Sequence, residues 1–202
     1  MSEAVTNGIL AVAAFGFGFL IFDQLWARRL FAFGFFAIGV ASAGAAIVHW
    51  YSLPDESAVW LITIYAIGFG AFFSFAGVAR AFFANPVRRI LAGLALVQLV
   101  VYGVLVTGNR DFTFVLYEYG VELFIVLLIA GWVLLRGISR SSALWLLGAV
   151  SISLLAALFQ QSDIAVAKTL THNDVYHIVQ IGALYCFYKA ATFFEEARTN
   201  EE

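Results

Sequence analysis

The chain alternates long apolar runs with short polar connections, and seven of the runs are long enough to cross a bilayer. They cover about residues 8–26, 31–51, 58–82, 88–107, 112–135, 142–161 and 173–194. A helix crossing the hydrocarbon core needs about 20 mostly apolar residues at a rise of about 1.5 Å each. Such runs exceed the length of a barrel strand, so the pattern predicts an all-α, seven-transmembrane-helix bundle. No internal repeat or low-complexity linker interrupts it, and residues 1–202 are read as a single domain. Both prolines, Pro54 and Pro86, fall between runs, where a helix break costs little.

Charge gives the bundle a direction. Nine of the eleven Lys and Arg residues fall on one side: Arg28, Arg29, Arg80, Arg88, Arg89, Arg136, Arg140, Lys189 and Arg198. Arg110 and Lys168 fall on the other. Short loops with that imbalance predict an N-terminus outside the cytoplasm and a C-terminus inside. The start, Met1 to Asn7, lacks the basic stretch of a cleavable signal, and Arg28 and Arg29 close the first run as a stop-transfer does. A retained helix in the cytoplasmic (plasma) membrane is the expectation.

Composition agrees. Hydrophobic residues make up 63% and charged residues 12%, against roughly 25% charged in a soluble domain. The excess apolar surface needs lipid as its solvent. A net charge of −2 says nothing about partners, but no stretch is basic enough for nucleic acid, and membrane lipid is the expected partner. Cys186 is the single cysteine, which excludes an internal disulfide or a cysteine-based metal cluster. Small residues crowd the second run (Gly34, Ala37, Gly39 and 41–46). That favours close packing against neighbouring helices and a central place in the bundle.

The chemistry sits on the outer side. His49 closes the second run and His172 and His177 open the seventh, so all three histidines share one shallow layer. Tyr51, Asp55, Glu56, Asp111, Tyr117, Glu118, Tyr119, Gln160, Gln161, Asp163, Asn173 and Asp174 share it with them. Imidazole is the commonest metal ligand, and three imidazoles plus a water form an open zinc site. The alternative is interfacial histidines bonded to backbone or headgroups. Ligands on one helix face favour spacings of three or four, whereas His172 and His177 are five apart, so His172 is expected in the loop before the helix. A capping role is expected of Asn173 or Asp174.

Glu118 and Glu122 lie one turn apart, about 9 Å and 15 Å into the fifth run at about 1.5 Å per residue. Ionisable groups at such depth are costly and mark a function by default. A general acid or base, a proton relay, or a bonded pair that fixes helix packing are the readings open for them. Lys189 raises a retinal Schiff base, but the third run holds no acidic counter-ion, and a lysine near the inner end can snorkel to the headgroups.

The segments Ala45 to Tyr51 and Thr171 to Gln180 resemble the CREST superfamily of alkaline ceramidases and progestin and adiponectin receptors. Its members carry one metal-binding histidine late in the second of seven helices and two early in the seventh. The resemblance implies zinc and, as in the ceramidases, hydrolysis of a lipid amide. Ala45 stands where the family has its serine, Ala58 to Trp60 where it has an aspartate, and Asn173 where it has the first of its paired histidines. The expectation is a zinc-dependent hydrolase of a lipid amide or ester. His49, His172 and His177 would hold Zn2+, Glu118 or Asp174 would handle protons, and the acyl chain would lie between helices. The rivals are a non-enzymatic sensor or lipid-binding protein with a structural metal or none, and a proton-linked transporter using Glu118 and Glu122.

Overall fold

A computed structural model describes residues 2–161 and 171–195. The described residues form seven helices: α1 (Ser2–Ile21), α2 (Trp26–Tyr51), α3 (Ala58–Phe82), α4 (Val87–Gly108), α5 (Phe112–Leu135), α6 (Arg140–Gln161) and α7 (His172–Ala191). Among the described residues there is no strand. Helices α1 to α6 are long and apolar enough to cross a membrane, which makes the chain a membrane protein. Helix α7 has a comparable length, but His172, Asn173, Asp174, His177 and Gln180 make its first half polar.

Successive helices run up and down, and α1 packs against both α2 and α7, so the first and last helices are neighbours. The bundle therefore has two ends. One gathers the starts of α1, α3, α5 and α7 with the close of α2, α4 and α6, and is called the histidine end below. The other, the arginine end, carries Arg28, Arg29, Arg80, Arg88, Arg136 and Arg140.

Helix α1 starts six residues before the apolar run and stops five residues before its predicted end, and α2 starts at Trp26. Polar residues do not end a helix when their side chains find partners. Asn7 Nδ2 donates to the Glu3 carbonyl at 3.0 Å, one turn back. The early stop has its cause in Asp23, whose Oδ1 accepts from the Leu25 N–H at 2.8 Å and whose Oδ2 accepts from Arg28 at 2.7 Å. Arg29 donates to the Asp23 carbonyl at 2.7 Å. A carboxylate and two guanidinium groups thus turn the chain where hydropathy alone reads a continuing span.

The small residues of α2 do what the sequence predicts of them. Helix α2 packs closely on α3, where Gly44 faces Thr63 and Gly34 faces Ser74. On the α3 side, a Cβ at Gly77 would lie 2.9 Å from the Ala27 carbonyl oxygen. That close backbone approach admits only glycine. Phe31, Phe35, Leu123, Val126, Leu146 and Leu184 fill the core between the helices. Helix α4 is peripheral, with only Ala95, Tyr102 and Val106 buried.

Candidate functional site

The start of α7 fixes the site. Thr171 is the N-cap: its Oγ accepts from the Asp174 N–H at 3.2 Å, while Asp174 Oδ2 accepts from the Thr171 N–H at 2.9 Å. This is a capping box closed by aspartate, and it satisfies two of the free donors at the helix start. Asp174 is fully buried. Because the cap is Thr171, His172 is the first helical residue and not the preceding loop residue that the spacing predicts. Five helical positions at about 100° each turn His172 and His177 about 140° apart.

Helix α1 brings the partners. Glu3 Oε2 lies 3.3 Å from His49 Nδ1, and Glu3 Oε1 accepts from Thr171 Oγ at 3.1 Å and from Asn173 Nδ2 at 3.4 Å. One carboxylate thereby joins the close of α2 to the opening of α7. Thr6 Oγ lies 3.0 Å from Asp174 Oδ1, 3.2 Å from the Glu3 carbonyl oxygen and 3.0 Å from His177 Nδ1. The Asp174 carboxylate and the Glu3 carbonyl can only accept, and Thr6 has a single proton to give. In the Nδ1–H tautomer His177 donates to Thr6 and Nε2 keeps its lone pair; in the other tautomer Thr6 donates to Nδ1.

His177 is buried and His49 is exposed, and both line a chamber of about 260 Å³ at the histidine end. Asn7, Asn173, Gln160 and Gln180 add polar groups to its wall, and Leu10, Ile38, Ile67 and Leu116 make its floor apolar. Gln180 Nε2 donates to Tyr119 Oη at 2.9 Å. Among the described residues, the buried Oε1 atoms of Gln160 and Gln180 have no hydrogen-bond partner.

The structure does not bring all the expected residues together. His49 and His177 share the chamber; His172 does not line it. A zinc site needs three protein donors around one point. Among the described residues no three His, Cys, Asp or Glu side chains form a group that could hold a metal ion. As these rings are placed, His49, His172 and His177 do not gather into such a set. Asp174 is committed to the cap and to Thr6. Glu118 is buried, but it lines a different cavity, with Gln98 and Glu122.

The loop residues serve locally. Arg110 donates to the carbonyls of Glu56 and Ser57, tying the α2–α3 connection to the end of α4. Asp111 caps α5, and the hydrogen bonds from Thr113 hold its carboxyl below the usual range. Tyr51 and Tyr117 are exposed. Asp163, Lys168 and Arg198 lie outside the described residues.

Sequence reasoning missed Glu3, Thr6 and Asn7, which it left ahead of the first span. A signal was present: Glu3, Thr6 and Asn7 fall at spacings of three and four, so they share one face of a helix. That face continues to Leu10 and Ala14, both buried.

The profile of a family of unknown function (DUF6962) matches residues 2–196. No curated protein and no solved structure matches the chain.

Proposed function

The chain belongs to this family of unknown function, DUF6962, and on that premise we propose a membrane hydrolase that cleaves a lipid amide or ester in the histidine-end chamber. Helix α7 is its seventh crossing, closed off from lipid on one side by α1 and α6. The lysine and arginine asymmetry supports an N-terminus outside the cytoplasm. The chamber then lies just beneath the outer headgroups of the cytoplasmic membrane. An acyl chain suits the floor formed by Leu10, Ile38, Ile67 and Leu116, and a carbonyl-bearing head suits the polar rim.

The observation that carries this reading is the buried His177 imidazole in the chamber wall, with Nδ1 held 3.0 Å from Thr6 Oγ. In the tautomer whose Nδ1–H donates to Thr6, Nε2 takes a proton from a water as that water adds to the carbonyl carbon. The same proton then passes to the leaving nitrogen or oxygen as its bond to carbon breaks, and the ring returns to its starting state. Asp174 acts through Thr6 and is a positioning residue, as second-sphere carboxylates commonly are. His49, beside the Glu3 carboxylate, is placed to hold the polar head. No step is routed through zinc.

The test is to incubate the purified protein with a panel of acyl amides and acyl esters and follow released fatty acid. Turnover that disappears in His177→Ala supports the reading, and turnover unaffected by that change overturns it. Saturable lipid binding without turnover would favour the non-enzymatic sensor instead. Metal analysis of the protein against a His49→Ala/His177→Ala double variant is a separate check. Stoichiometric zinc lost in the double variant would return the metal to the site.

A further inference from the structure

Three cavities follow one another from the histidine end into the bundle. The chamber shares Ile38, Ile67 and Tyr119 with a second cavity of about 30 Å³. The second shares Ala71 and Glu122 with a third of about 70 Å³, which Glu118 and Gln98 also line. Each shared wall therefore contains one polar side chain, Tyr119 in the first and Glu122 in the second. Both project from α5, three positions apart, and so share a helix face. Either lower cavity has room for a water molecule.

Glu118 and Glu122 are each 7% exposed. No Lys, Arg or His lines either lower cavity. The polar groups facing the pair from other helices are Gln98 and Tyr102 of α4 and Ser74 of α3, with Tyr176 of α7 beyond Tyr119. Helix α2 presents apolar side chains there. Two carboxylates at this depth without a cation must be neutralised by something that reaches them. At the chamber end, Gln180 lines the wall, is 5% exposed, donates to the Tyr119 hydroxyl and has an Oε1 without a hydrogen-bond partner among the described residues.

We propose that Glu118 and Glu122 form a proton-binding site that fills and empties from the chamber through Tyr119 and Gln180. A proton entering from the aqueous face as hydronium passes to a water held by Gln180 Oε1. That water hands one of its own protons to the Tyr119 oxygen and is left as neutral water, while the phenol proton leaves toward water in the second cavity, which in turn protonates Glu122. Only O–H bonds change hands, and one carboxylate becomes a carboxylic acid. Release is the same sequence reversed. This site does not depend on any hydrolysis at His177, so the bundle would carry a proton-storing group whatever its chemistry.

Infrared spectroscopy of the purified protein in lipid nanodiscs tests the idea. The parent protein should show the C=O stretch of a buried carboxylic acid, absent from the Glu118→Gln/Glu122→Gln double variant. In D2O the band should shift, and in Tyr119→Phe that shift should be slowed by about tenfold or more, as loss of a hydrogen-bonding relay group predicts. Both changes keep shape and remove no packing. A band that survives the double variant, no band in the parent, or exchange in Tyr119→Phe as fast as in the parent would each overturn the proposal.

Discussion

Both ends of the bundle tie the first two helices to the last, yet they do it in opposite ways. At the arginine end, Arg28 donates to Asp23 at 2.7 Å, to the Thr192 carbonyl at 2.8 Å and to the Phe194 carbonyl at 3.2 Å. All three of its nitrogens donate, and Phe194 and Phe31 pack edge to face beside it at 5.2 Å. At the histidine end, Glu3 and Thr6 bridge the same helices, but around a chamber where two glutamine oxygens lack partners among the described residues. A closed polar network is a staple. A network with unspent acceptors beside a cavity is a place for a ligand.

That contrast can be broken in four ways, in descending order of effect. The largest is His177→Ala, expected to lower lipid hydrolysis by about 10²–10⁴-fold, the range for loss of a general base, while the melting temperature stays near the parent's. Next is Arg28→Ala, expected to destabilise the protein by about 1–2 kcal/mol, since charged hydrogen bonds are lost from a partly exposed site. Thermal unfolding in detergent checks it, and activity per folded molecule should not change; if it does, the two ends are not separable. Third, Thr6→Val should lower activity by roughly tenfold by freeing the His177 ring, with Thr6→Ser restoring it. An equal loss in both would mean that Thr6 only packs.

The smallest effect concerns Asp111. Its folded carboxyl is held low by Thr113. The cap therefore contributes stability above the ordinary aspartate range, and that contribution is lost as pH falls through the lowered folded value. Asp111→Asn should flatten this part of the acid unfolding profile and leave both ends of the bundle unchanged.

Seven helices were legible because hydropathy over 20 residues averages out local detail. The α1–α2 turn was not, because Asp23, Arg28 and Arg29 act through specific bonds that hydropathy counts only as three polar residues. The layer shared by His49 and His177 was legible from the up-and-down order of the spans. Its real partners were hidden, since Glu3 and Thr6 are polar and seemed to lie ahead of the membrane. His172 was misplaced by one residue: the apolar run starts at 173, but the helix starts where Thr171 can cap it. Sequence spacing cannot choose between two adjacent cap positions, and a one-residue shift rotates a side chain by about 100°.

Thr6 and Asp174 lie 168 positions apart in the chain, and this has a consequence for biogenesis. During synthesis α1 enters the bilayer with Glu3, Thr6 and Asn7 on its inner face long before α7 has been made. The nascent protein must shelter those groups, in the translocon or at the lipid surface, until the final helix arrives. A ribosome stalled between α6 and α7 would leave a membrane intermediate with its polar seam open, the form on which quality-control proteases could act.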